Sequence, residues 1–156
     1  VIYKGYHSDA ARTHAVGEVS EEAKKLIQVT KECFFEGIKY AKAGNHLFDI
    51  SGAIGRYAEE RGYGVVRDLC GHGIGTALHE APEIPNYEVG RKGVKLRPGM
   101  TLAIEPMINI GTYEVDWLDD DWTVVTRDGS LSAHYENTIL ITEGEPRILS
   151  LTCDNE

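Results

Sequence analysis

Polar and apolar positions divide the chain into three stretches with different periods. At the start, Val1 to Tyr3 and Ala10 to Val16 are short β-prone runs flanking the turn-like Lys4-Gly5, which together predict a hairpin. From Ser20 the period lengthens: Ala23, Leu26, Ile27, Thr30, Phe34, Ile38 and Ala41 recur at helical spacing until Gly44. Ser20 is placed to cap this helix, and Glu21 and Glu22 complement the positive end of its dipole. A second helix is predicted from about Leu47 to Arg61, with Ile50, Ala53, Ile54, Tyr57 and Ala58 on its buried face and Gly62 at its end. Beyond Tyr63 the helical period vanishes. Short β-rich runs follow at Val65 to Leu69, Thr101 to Ile108, Trp122 to Thr126, Ala133 to Thr142 and Arg147 to Leu149. Turn formers such as Arg97-Pro98-Gly99 and Arg127-Asp128-Gly129 separate them. Two helices packed on a curved, mostly antiparallel sheet make an α+β domain.

Composition narrows the function. With 156 residues, 42% hydrophobic and 26% charged, the chain fits one globular domain large enough to bury a core. Asp and Glu outnumber Lys and Arg by 25 to 16, a net charge of −9, which argues against a nucleic-acid partner and suits cation binding. Cys33, Cys70 and Cys153 are odd in number and lack CxxC spacing, so a reducing compartment is expected rather than a disulfide framework. No apolar run approaches membrane-spanning length and no signal peptide opens the chain, so no membrane partner is expected. The start at Val1-Ile2-Tyr3, without Met and already strand-like, predicts that a natural N-terminal region is missing.

The richest chemistry lies in Cys70-Gly71-His72-Gly73-Ile74-Gly75-Thr76-Ala77-Leu78-His79-Glu80, joined by Asp9 upstream and by Glu105 and Glu136 downstream. Each has an ordinary explanation when taken singly. Asp9 can be a strand-edge or turn aspartate, and His72, between two glycines in what reads as a loop, can cap a turn. Glu105, in Ile104-Glu105-Pro106-Met107, and Glu136, before a β-branched run, can each be buried against an arginine. A carboxylate out of water is costly unless a cation or hydrogen-bond donors compensate it. Three carboxylates and a histidine, three of the four on predicted strands that can converge on one face, make a shared metal site the common explanation.

The same residues resemble the type I methionine aminopeptidase family. The likeness is carried, in order, by Gly5-Tyr6-His7-Ser8-Asp9, by Gly71-His72-Gly73-Ile74-Gly75 with Leu78-His79-Glu80-Ala81-Pro82, by Pro98 to Pro106, and by Ser132-Ala133-His134-Tyr135-Glu136-Asn137-Thr138. It extends from Val1 to about Leu151. The resemblance implies the pita-bread (creatinase/aminopeptidase) fold and a single metallopeptidase catalytic domain over residues 1–156, N-terminally incomplete, corresponding to the C-terminal two-thirds of the enzyme.

Carried over residue by residue, the family pattern makes Asp9 and Glu136 bridging carboxylates between two divalent metal ions (Co, Mn, Fe or Zn), with His72 and Glu105 completing the shell of the first. Glu105 becomes the general base and His79 a substrate-contacting catalytic histidine that is not a ligand. Trp122, and Leu78 where the family commonly has Phe, fall at positions lining the methionine side-chain pocket. The backbone near Ser132 helps hold a monovalent cation (Na or K). The implied reaction is hydrolytic removal of the initiator methionine from nascent polypeptides in the cytoplasm, with the ribosome a partner by family analogy. The family's further aspartate, unique to the second metal, falls upstream of Val1. Ser8 stands where Gly is common and His14 where Phe is common. The nearest rival within the fold is the prolidase and aminopeptidase P branch, which tends to carry an arginine shortly before the last glutamate, where this chain has Ala133-His134-Tyr135. A rival from another class is a binding module of the same fold without catalysis, but all four ligand positions present here keep competent residues.

Overall fold

The computed structural model describes residues 1–151. Both helices form where the period changes. Ser20 Oγ accepts from the Ala23 N–H at 3.1 Å, and α1 runs over Glu21–Ile38. It ends before Gly44: just past Ile38 the Tyr40 and Ala41 N–H groups donate to Gly37 O and Ile38 O, both at 3.0 Å, in a tighter turn, and further on the Gly44 N–H donates to Leu96 O at 3.0 Å. Helix α2 occupies Leu47–Glu59, its start held by the His46 N–H donating to Asp49 Oδ2 at 2.8 Å.

The strands are β1 (Ile2–Tyr3), β2 (Tyr6–His7), β3 (Ala10–Arg12), β4 (Gly64–Val65), β5 (Gly71–Gly73), β6 (Glu80–Ile84), β7 (Thr101–Ile104), β8 (Met107–Asn109), β9 (Val115–Trp117), β10 (Val124–Thr126), β11 (Ser132–Leu140) and β12 (Arg147–Ile148). The expected hairpin exists with a different second strand: β1 pairs with β2. Lys4 and Gly5 both have positive φ, 49° and 83°, as a tight two-residue hairpin turn requires. The run from Ala10 instead joins the main sheet as β3, against β11. The run predicted at Val65 to Leu69 is cut to Gly64–Val65, and β5, β6 and β9 form where no strand was predicted.

The main sheet has eight strands in the order β4-β8-β11-β7-β5-β6, with β3 and β12 also paired to β11, and its pairings are antiparallel. Strand β11 is its spine. Residues 132–134 pair with β8 and residues 137–140 with β7. The predicted single strand from Thr101 to Ile108 divides at Glu105-Pro106 because Pro106 has no N–H to give the ladder; its carbonyl still accepts from the Tyr135 N–H at 3.2 Å.

The apolar faces of the helices cover one side of this sheet. Leu26, Phe34, Ile50 and Ile54 join Ile104, Ile108 and Ile139 in one buried core, and the Tyr135 ring lies 5.4 Å from that of Phe34. Cys33 is buried there, where desolvation pushes its thiol up to about 12; Cys33 and Cys70 are both free, and Cys153 lies outside the described residues. Among the described residues no helix is long and apolar enough to cross a membrane.

Candidate metal centre

Alternation along β11 separates the core from the site. Tyr135 and Ile139 belong to the helix-side core, so His134, Glu136 and Thr138 project from the opposite face. Glu136 is only 4% exposed, and its Oε1 is buried with no hydrogen-bond partner among the described residues. Burial pushes its carboxyl up to about 8; Glu105 and Asp9 push the same way, and Arg12 opposes them.

Arg12 does not provide the ion pair that would make this carboxylate ordinary. Its guanidinium stacks on Tyr135, 3.9 Å from the ring centroid, and donates to the backbone carbonyl of Glu136 and to Asn137 Oδ1, the latter at 2.7 Å. Glu105 likewise lacks an arginine among the described ion pairs. It sits at the break between β7 and β8, its own carbonyl accepting from Asn86 Nδ2 at 3.1 Å. Its Oε1 lies 3.4 Å from His72 Nε2 and its Oε2 3.6 Å from His134 Nε2.

His72 occupies the middle of β5, between β6 and β7. Its flanking glycines are required by close approach: a Cβ on Gly71 would run into the carbonyl oxygen of Ala103, and one on Gly73 into that of Ala81. Neighbouring backbones thus grip the histidine from both sides. Nδ1 lies 2.9 Å from the Gly73 carbonyl oxygen, an acceptor, so Nδ1 carries the proton in the neutral ring and Nε2 keeps a free lone pair. That lone pair faces Glu105, an arrangement that a cation between them reconciles.

Asp9 is held to the spine strand from across β3. Thr138 Oγ1 accepts from the Asp9 N–H and donates to the Asp9 carbonyl, both at 2.9 Å, and the Thr138 N–H adds a third bond to that carbonyl at 3.1 Å. Two triads result. Asp9, His72 and Glu136 each bring a ligand atom within 4.8 Å of the others, as do Glu105, His134 and Glu136, with Glu136 common to both. An unpartnered buried carboxylate oxygen, a histidine tautomer with its lone pair inward and repelling carboxylates fit a divalent cation.

His79 stands apart from these triads. Its ring centroid is 4.3 Å from that of His72, edge to face, and the two line a cavity of about 550 Å³ with Cys70, Glu80 and Glu83. Leu78, 37% exposed, and Trp122, 85% exposed in the turn between β9 and β10, are not among the residues lining that cavity. Ser132 opens β11 opposite Asn109, its hydroxyl donating to Ile108 O at 3.3 Å. The residue beside these carboxylates that the sequence reading passed over is His134. Its signal was its place two residues before Glu136 on a strand, which puts both on one face.

Comparison with known proteins accords with this geometry. Residues 1–143 match the metallopeptidase family M24, and the chain belongs to that family. A methionine aminopeptidase of Clostridium acetobutylicum is 60% identical over 150 residues, covering 96% of this chain and 60% of that protein. The crystal structure of methionine aminopeptidase from Thermotoga maritima matches with a TM-score of 0.93 at 49% identity, over 97% of this chain and 61% of that one. Prolidase from Pyrococcus furiosus matches with a TM-score of 0.74 at 28% identity, over 97% and 39%. The fold is therefore the pita-bread fold, and the chain spans about 60% of the length of the methionine aminopeptidases it matches.

Proposed function

We propose that this chain is the metal-binding part of a methionine aminopeptidase, removing N-terminal methionine from nascent proteins and peptides. The observation that carries this reading is the convergence of Asp9, His72, Glu105 and Glu136 on one side of the sheet, with no arginine among the described residues paired to either glutamate carboxylate. Both methionine aminopeptidases exceed the prolidase in identity, and the Thermotoga maritima structure also exceeds it in TM-score, which favours methionine release over the Xaa-Pro branch.

Asp9 and Glu136 hold the cation position from the β3 side and the spine strand, while His72 and Glu105 face it from β5 and from the β7–β8 break. Carboxylate-rich ligation with one imidazole suits Co, Mn, Fe or Zn. A divalent cation so held supplies Lewis-acid chemistry, polarising a peptide carbonyl and lowering the pKa of water. Glu105 accepts the proton released as water attacks, and His79, beside His72, donates to the developing oxyanion. Leu78 and Trp122 are proposed to contact the methionine side chain, and the carbonyl near Ser132 to hold a sodium or potassium ion. Free thiols at Cys33 and Cys70 suit a cytoplasmic setting.

The test is release of free methionine from Met-Ala-Ser peptides by the manganese- or cobalt-loaded protein, run beside Xaa-Pro dipeptides and a Glu105→Gln variant. Metal-dependent methionine release that Glu105→Gln abolishes is expected. Preferential cleavage of Xaa-Pro dipeptides, or methionine release insensitive to Glu105→Gln, contradicts the reading.

A further inference from the structure

We propose that His134 is a positioning residue for Glu105, donating its Nε2–H to Glu105 Oε2 so that Oε1 stays turned toward His72 and the cation. This rests on the metal-centre reading above. The two oxygens of Glu105 each face a different imidazole, His72 Nε2 at 3.4 Å from Oε1 and His134 Nε2 at 3.6 Å from Oε2. The two rings are not equivalent. In His72 the Gly73 carbonyl fixes the proton on Nδ1, whereas His134 Nδ1 has no protein acceptor among the described residues, so its proton is free to reside on Nε2. His134 Nε2 is itself buried without a hydrogen-bond partner among the described residues. The nearest carboxylate oxygen stands a few tenths of an ångström beyond hydrogen-bond distance, a gap that a small side-chain rotation closes.

The backbone of His134 is fixed to receive this role. Its N–H donates to Thr13 Oγ1 at 2.8 Å and its carbonyl accepts from the same hydroxyl at 3.0 Å, while Met107 faces it across the ladder. A carboxylate at a metal is oriented by the groups that bond its second oxygen, and losing such a group typically weakens metal binding about 10–100-fold. His134 occupies that place for the carboxylate that also serves as proton acceptor.

Cobalt(II) binding to wild type, His134→Leu and His134→Gln tests this by calorimetry and by the visible d–d spectrum, with far-UV circular dichroism of the metal-free proteins as the folding control. Leu removes the donor; Gln restores an N–H donor that is not an imidazole. Expected are a loss of cobalt affinity of about 10–100-fold in His134→Leu, recovery to within a few-fold of wild type in His134→Gln, and a wild-type d–d envelope in His134→Gln. Wild-type affinity in His134→Leu overturns the proposal. So does a shifted d–d envelope with weak binding in His134→Gln, which makes His134 a direct ligand. Failure of the wild-type protein itself to bind cobalt(II) overturns the metal-centre reading, and this inference with it.

Discussion

Arg12 lies against Glu136 and yet donates to that residue's backbone carbonyl, leaving the carboxylate without an ion-pair partner among the described residues. The guanidinium is on the Tyr135 side of β11, stacked over that ring, whereas the Glu136 side chain projects from the other face. A buried acid so placed is costly in the metal-free protein and ready for a cation in the loaded one.

The first prediction follows from that cost. In the metal-free protein burial, with Glu105 and Asp9 nearby, pushes the Glu136 carboxyl up from the ordinary 4.5 to about 8. A raised carboxyl favours folding fully only below its ordinary range, and that contribution is lost as pH rises through about 8. Urea unfolding in chelator should therefore show wild type losing stability between pH 5 and pH 9, by an amount on the order of a few kcal/mol. Glu136→Gln should flatten this dependence and be the more stable protein at pH 9. Parallel curves for the two proteins would contradict it.

Thr138 predicts a coupling between a latch and a ligand. Thr138→Val removes the hydroxyl that both donates to and accepts from the Asp9 backbone. The expected cost is about 1–3 kcal/mol in unfolding free energy, with divalent-cation affinity reduced several-fold because Asp9 is no longer held. Unchanged affinity in a destabilised variant would show that the latch serves folding alone.

Gly73→Ala should be more damaging than its one added methyl suggests. The new Cβ meets the backbone carbonyl of Ala81, which cannot move without shifting β6. A loss of about 1–3 kcal/mol is expected, together with weaker metal binding, since the Gly73 carbonyl also fixes the His72 tautomer. Calorimetric affinity and thermal unfolding measured on one sample check both halves.

His79→Ala should separate catalysis from binding. His79 belongs to neither ligand triad, so cation affinity should stay within a few-fold of wild type while methionine release slows by about 10²-fold or more. Loss of the cation from this variant would make His79 a ligand instead.

Much of this was legible in the chain because the signals were local. Ser20 caps α1 through its own side chain, and the helical apolar faces are written in the period. The candidate residues Asp9, His72, Glu105 and Glu136, which the fold brings close together, stood out as acids and a histidine in apolar or glycine-rich settings. What escaped depended on contacts distant in sequence. Gly71-His72-Gly73 has little β-propensity and becomes a strand because β6 and β7 clamp it; the glycines that read as loop formers are there for close approach. Glu105-Pro106 reads as strand interior but interrupts the ladder because Pro106 has no N–H to give, while β7 and β8 keep one register against β11 before and after the break. The partner of Ala10 to Arg12 is β11, more than a hundred residues away in the chain, and not the neighbouring β1. His134 acquires meaning only when β7 and β8 place Glu105 beside it.

The central claim is that Asp9, His72, Glu105 and Glu136 together hold a divalent cation. It is tested most directly by calorimetric titration of the chelator-stripped, mass-verified 156-residue chain with manganese(II) or cobalt(II), beside Asp9→Asn, His72→Ala and Glu136→Gln. The account predicts saturable binding that is weakened in each variant whose folding is intact. No saturable binding, or an affinity that the three substitutions leave unchanged, would contradict it.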